Sequence, residues 1–284
     1  MVAQILKGKP VVEALKERIS EETISLRGKA IEPTLAIIRV GNRPDDVFYE
    51  KSIIRNCDSV GIKTKVFEVA ADIDMHKFST IVKEVNDDKS IHGIMLFRPL
   101  PNQLDIDDIK HMIDPQKDVD CINPENLRRV FEGDDSGFPP CTPEAVVEIL
   151  KHYDVPLEGA NAVIINSSMV VGKPLAMMLL KEESTITVCH IKTRELSEIA
   201  SKADIVISAV GKAKLFGADY FSEDTLVIDV GINDDGNGKI CGDVDYEKVN
   251  NKVKGITPVP GGVGTVTTAI LLKHVVQACK KQIA

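Results

Sequence analysis

The six cysteines, at positions 57, 121, 141, 189, 241 and 279, are scattered through 284 residues, and no two form a CxxC pair. That absence argues against a disulfide framework or a zinc site and fits reduced thiols in the cytoplasm. Long apolar runs are missing too, none approaching the roughly 20 residues that a membrane span needs. The opening stretch, MVAQILKGKPVVEALKERIS, lacks the apolar block and small-residue cleavage site of a signal peptide. Positive charge is scarce. Lys and Arg number 35 against 43 Asp and Glu, and the net charge of −8 disfavours non-specific binding to nucleic acid or an anionic membrane. No internal repeat or low-complexity tract occurs. No metal is expected, since His190 has no partner at ligand spacing.

What is present, 43% apolar and 27% charged residues, is the composition of a globular protein long enough for two modest domains. TLAIIRV (34–40), TKVFEV (64–69) and IHGIMLF (91–97) are brief, apolar and β-branched, and they predict buried strands. Helical spacing over 45–60 and 74–87 separates them, giving a βαβαβ unit with a parallel sheet. A second series predicts strands near 162–166, 185–189, 204–208 and 226–230 with helices between. The Pro-, Asp- and Gly-rich stretch from DPQKDVD to CTPE has little periodicity and marks the crossing between two α/β domains, with a ligand cleft expected there. The final segment, TVTTAILLKHVVQACKKQIA, is helical in period and is expected to pack on the first domain. The domains are therefore 1–142 with about 268–284, and 143–267.

In the second domain AVIIN leads into SSMVVGKPLAMMLL, a strand, a small-residue turn and a helix. That order sets backbone N–H groups and a positive helix end under a pyrophosphate, although GxGxxG is absent and a plain βα turn explains the same residues. TVCHIKT closes the next strand with His190, Lys192 and Arg194 close together. In dinucleotide folds this strand end faces the adenosine ribose, where basic groups favour a 2′-phosphate; a solvated basic turn is the competing explanation. DIVISAVGK and VIDVGIN end strands in glycine turns. ITPVPGGVGTVT forms a stiff loop that allows close approach to a flat ligand, or else a structural connection.

VFYEKSIIR (47–55) poses a sharper question. Tyr49 and Lys51 are two positions apart, the wrong helical spacing for a shared task, whereas Ile53 lies one turn on and can neither hold nor pass a proton. Taken in order, VGNRPDDVFYEKS, KDVDCINPENL, PPCTPE, SSMVVGKPLA, VCHIKT, ADIVISAVGK, VIDVGIN, GDVDY and ITPVPGGVG resemble the bifunctional methylenetetrahydrofolate dehydrogenase/methenyltetrahydrofolate cyclohydrolase family nearly end to end. The resemblance implies an N-terminal α/β folate-binding domain, a C-terminal Rossmann-like, doubly wound parallel-sheet domain for NADP (NAD being the alternative), and a homodimer formed through the nucleotide domains.

The resemblance also implies site residues. Tyr49 and Asp120 are the catalytic candidates. The family's cyclohydrolase lysine falls at Ile53, and the glutamine that assists it at Phe97. Tetrahydrofolate derivatives are expected against Tyr49, Phe97, Pro99, Leu100, Asp120 and the Pro260, Gly261, Gly262 turn. Cofactor contacts are expected from Asn166, Ser167, Ser168, Val171, Gly172, Lys173 and Pro174 on the first loop. His190, Lys192, Thr193 and Arg194 follow on the second, and Ala209, Val210, Gly211, Gly231 and Ile232 on the glycine turns. Asn166 stands where the family usually has glycine, and asparagine's tolerance of left-handed backbone suggests that the loop conformation persists. Ser167 stands where many members have arginine, and Thr265 where proline is usual.

Hydride transfer needs two rings held at the right distance, whereas opening the methenyl ring needs activated water and moved protons. Lys51 points about 200° around the helix from Tyr49. Arg98 should face away from Phe97 by strand alternation, and it stays protonated. The expectation is thus a dehydrogenase whose cyclohydrolase activity is weak or lost. A fully bifunctional enzyme and a catalytically silent folate- or nucleotide-binding paralogue are the alternatives.

Overall fold

The computed structural model describes residues 3–283, and the chain divides into two compact units. One contains the residues up to Glu13 together with Thr142–Thr267; the other contains Ala14–Cys141 and the residues from Thr268 onward. The described chain opens with β1 (Gln4–Ile5) and α1 (Gly8–Arg27).

In the second of these units β2 (Thr34–Val40), α2 (Pro44–Ser59), β3 (Lys63–Val69), α3 (Met75–Asp87) and β4 (Gly93–Leu96) form the expected βαβαβ series. The sheet is parallel, ordered β3-β2-β4. Every residue of β2 is buried, as an unbroken TLAIIRV run requires of a strand covered on both faces. Pro44 occupies the first turn of α2, where its missing N–H costs nothing, and the Asp74 carboxylate caps α3 by accepting from Lys77 N at 2.8 Å. Phe78, Val82 and Val85 carry the apolar face of α3 into the core with Ile38, Ile94 and Leu96.

The supposed crossing is more ordered than its composition suggests. Beyond the short α4 (Ile106–Ile109), it contains α5 (Pro124–Glu132), capped by the Asn123 side chain, which accepts from Glu125 N at 2.8 Å. α6 (Cys141–His152) follows.

The other unit is built on a six-stranded parallel sheet ordered β1-β11-β8-β7-β5-β6. Its further elements are β5 (Asn161–Ile165), α7 (Gly172–Lys181), β6 (Thr185–Cys189), α8 (Leu196–Ala200), β7 (Ile205–Ser208) and β8 (Leu226–Asp229). The hairpin β9 (Asn233–Asp234) and β10 (Ile240–Cys241), the short α9 (Tyr246–Val249) and β11 (Gly255–Ile256) complete it, and α10 (Val263–Ile283) begins in it, its residues from Thr268 falling with the unit that holds β2, β3 and β4. The strand order reverses between β5 and β7, and a doubly wound sheet collects ligands beyond the strand ends at that point. One expectation is corrected: the first 13 residues do not belong with the folate domain. β1 pairs with β11, Gln4 opposite Gly255 and Ile5 opposite Ile256. The residues after Thr267 do fall with the other unit, as the helical tail suggested.

Candidate active site

In the first βαβαβ unit, α2 and the end of β4 bring Tyr49 and Phe97 together, ring centroids 5.6 Å apart and tilted by 34°. Phe97 is buried, and Ile53, one turn along from Tyr49, is completely enclosed. Tyr49 is 41% exposed, its hydroxyl bonds the Thr268 side chain, and local desolvation raises its pKa, with Asp120 adding to the rise. It is therefore a neutral phenol at any physiological pH and no ready base. Lys51 lies exposed on another face of α2.

Asp120 reaches this wall because the 117–120 segment runs beside β4. Ile94 N donates to Lys117 O at 2.6 Å, and Ile94 bridges Asp118 in parallel. The fully buried Asp118 carboxylate folds the next turn by accepting from Ile122 N, Asn123 N and Asn126 Nδ2, each at 2.9 Å. His274 Nδ1 lies 2.8 Å from Val119 O, so that nitrogen carries the proton and donates.

Arg98 departs from its expected position. β4 ends at Leu96, so strand alternation no longer governs Arg98, and its Nη2 lies 3.6 Å from Asp120 Oδ2. Among the candidate substrate residues, Leu100 packs on the core, and both Pro99 and Pro260 follow cis peptide bonds.

The nucleotide candidates gather at the switch point. Asn166 follows β5 directly, and its side chain closes the loop. Nδ2 donates to Ala209 O across the switch point at 2.5 Å, while Oδ1 accepts from Ser168 N at 2.8 Å and from Gly172 N at 2.9 Å. Its φ is not positive, so the left-handed tolerance invoked from sequence is not what keeps asparagine here; three hydrogen bonds are. Gly172 must be glycine, since a Cβ would collide with Asn166 O. The first turn of α7 is thus largely satisfied from within: Asn166 takes Gly172 N, Ser168 O takes Lys173 N at 3.0 Å, and Pro174 has no N–H. The side chains of Ser167, Ser168 and Lys173 are exposed on this turn.

His190, Lys192 and Arg194 are exposed at the end of β6. Part of that turn is structural: His190 N donates to Thr193 Oγ1 at 3.0 Å, and Lys192 N donates to His190 Nδ1 at 3.2 Å.

Two buried carboxylates that had no assigned role fix the remaining loops. Asp243 accepts from Ser208 Oγ (2.8 Å), Val210 N (2.6 Å), Lys212 N (2.9 Å) and Asn233 Nδ2 (3.0 Å). Asp229 accepts from Gly231 N, Asp243 N and Val244 N, and burial raises its pKa to about 7. Gly231 leaves no room for a side chain against Asp243. In the sequence the two acids lie within VIDVGIN and GDVDY, two of the motifs that carry the family resemblance. A cavity of about 210 Å³ beside them joins Gly231 and Ile232 to Pro260, Gly261 and Gly262.

The donor set fits a dinucleotide: hydroxyls and exposed cations surround the switch point, and Gly211, at φ +72° with open space around it, bares its backbone. No group of metal-ligating side chains occurs among the described residues, nor any helix long and apolar enough to cross a membrane.

A parallel sheet with its loops collected at a switch point, joined to a second α/β unit with an acid beside an aromatic wall, defines a two-domain dinucleotide-binding protein of the dehydrogenase type. The chain belongs to the tetrahydrofolate dehydrogenase/cyclohydrolase family: residues 6–120 match its catalytic domain and residues 140–283 its NAD(P)-binding domain. It is 58% identical over 281 residues to bifunctional protein FolD 1 of Desulfitobacterium hafniense, covering 99% of this chain and 100% of the relative. The crystal structure of the bifunctional FolD enzyme from Campylobacter jejuni superposes with a TM-score of 0.95 at 42% identity, covering 98% of this chain and 99% of that one. The Trypanosoma brucei enzyme, solved with NADP cofactor and inhibitor, gives a TM-score of 0.92 at 29% identity, covering 100% of this chain and 99% of that one.

Proposed function

We propose that the protein is a 5,10-methylenetetrahydrofolate dehydrogenase that uses NADP and whose methenyltetrahydrofolate cyclohydrolase activity is weak or lost. The observation that carries this reading is the wall of Ile53, Phe97 and a neutral Tyr49, in which neither position of the family's lysine and glutamine holds an amine or an amide.

Bound NADP would supply the hydride acceptor. The chain's own task in that step is to orient and to exclude water. The Tyr49–Phe97 wall offers a flat apolar face to the pterin, and Asp120 offers a carboxylate to its N–H groups. Orientation of this kind contributes roughly 7–11 kcal/mol in favourable cases without a side-chain base. Ser167, Ser168 and Lys173 would hold the pyrophosphate, while Lys192 and Arg194 favour a 2′-phosphate and hence NADP over NAD.

A second reading, retention of both activities, is favoured by the bifunctional names of the relatives. Supplying the purified protein with methenyltetrahydrofolate and following its absorbance separates the two. We expect decay at the buffer rate alongside NADP-dependent oxidation of the methylene compound. Decay well above buffer, abolished by Y49F or K51A, would establish the bifunctional reading. Cytoplasmic location, supported by six free buried cysteines, and a homodimer, implied by the family resemblance and measurable by light scattering, belong to the same proposal.

A further inference from the structure

Arg98 places its guanidinium beside Asp120 near the Tyr49–Phe97 wall, and neither it nor its partner is sealed away: the Arg98 side chain is 38% exposed and that of Asp120 22%. We propose that Arg98 is a specificity-determining residue, its guanidinium holding Asp120 as an oriented carboxylate for the paired N–H donors of an aminopyrimidinone ring. This rests on the reading of the pocket as a folate site.

The chemistry of the site supports it. A ring with an N–H beside an exocyclic amine presents two parallel donors, which an ionised carboxylate accepts together and a protonated carboxyl cannot. Burial pushes Asp120 toward the protonated form, and Arg98 is the strongest group opposing it, ahead of the Cys141 thiol at the start of α6 and His274 on α10. Asp118 and Cys121 on the same loop and Tyr49 on α2 complete the titratable surroundings, and each is raised mainly by desolvation, with the Asp120 charge adding to the rise. A guanidinium does not deprotonate, so Arg98 sets the charge state of Asp120 without taking part in proton transfer.

The test compares wild type with R98L, R98Q and R98K, recording kcat/KM for methylenetetrahydrofolate against pH, with KM for NADP alongside. An opposite charge at this distance lowers a carboxylate by about 1–3 units, and exposure places the effect near the low end. R98L and R98Q should therefore move the acid limb of the profile up by about one unit. Well below that limb the loss should be roughly tenfold, vanishing well above it, with R98K intermediate and KM for NADP unchanged. A profile that drops by one factor at every pH, or does not change, overturns the proposal. Carbon-13 NMR titration of the Asp120 carboxyl, assigned with D120N, reads the same shift without turnover. If the wild type transfers no hydride, the dehydrogenase reading fails, and the NMR shift still decides the role of Arg98.

Discussion

Asp243 and Asp120 are both acids in enclosed surroundings, yet the two units answer them differently. Asp243 is fully buried and surrounded by two backbone N–H groups, a serine hydroxyl and an asparagine amide. Asp120 is partly open and faces a guanidinium at 3.6 Å. An acid saturated by fixed donors has no capacity left for a ligand and acts as scaffold, whereas an acid held by a single half-exposed cation can still receive one. In the unit that matches the NAD(P)-binding domain, then, the buried carboxylates shape loops, whereas in the unit that matches the catalytic domain the carboxylate stays partly open, beside a wall apolar at two positions.

The largest effect should come from reversing those two positions. I53K combined with F97Q returns an amine and an amide to the family's cyclohydrolase positions, and a positioned proton-transfer group is worth about 10²–10⁴ in rate. We expect methenyltetrahydrofolate hydrolysis to rise at least about a hundredfold over the wild type while hydride transfer continues. If hydrolysis does not rise although the variant folds and oxidises the methylene compound, the loss lies elsewhere than in the wall.

Next comes a direct contrast of the two acids. D243A leaves Val210 N, Lys212 N and the Ser208 hydroxyl without their acceptor, and unfolding in urea should show a loss on the order of 3 kcal/mol. D120A removes an acid whose partner can turn to water; it should cost under about 1 kcal/mol of stability while sharply raising KM for the folate. Equal stability losses would erase the distinction between scaffold and binding acid.

How much of this was legible depended on the physical signal behind each feature. Runs such as TLAIIRV fix a buried strand because seven consecutive apolar or β-compatible residues admit little else, and β2 occupies that range. β1 and β11 have two residues each, too few for any period, so only the pairing of Gln4 with Gly255 reveals where the first residues belong. The apolar Ile53 was readable one turn from Tyr49, but only the family resemblance marks that position as a lysine's, and the structure encloses Ile53 there. Arg98 was misjudged by carrying a two-residue period past the end of its strand. Asp229 and Asp243 were invisible as a pair: they lie 14 positions apart and meet through Asp243 N and Val244 N donating to the Asp229 carboxylate.

The smallest predicted effect concerns Asn166, whose side chain does in the nucleotide unit what backbone donors do for Asp243. Its Oδ1 satisfies Ser168 N and Gly172 N, so it caps α7 from outside the helix. Losing a cap costs about 1 kcal/mol, so N166A should lower the melting temperature of the cofactor-free protein by a few degrees. The two vacated N–H groups point where a helix N-terminus receives phosphate, and bound pyrophosphate can take them in place of the amide. Saturating NADP should therefore stabilise N166A more than it stabilises the wild type, closing most of the gap, because a ligand that binds the folded state raises its stability by linkage. If the deficit persists undiminished at saturating NADP, Asn166 supports the loop but does not stand in for the phosphate, and the switch point of this unit is as purely scaffold as Asp243.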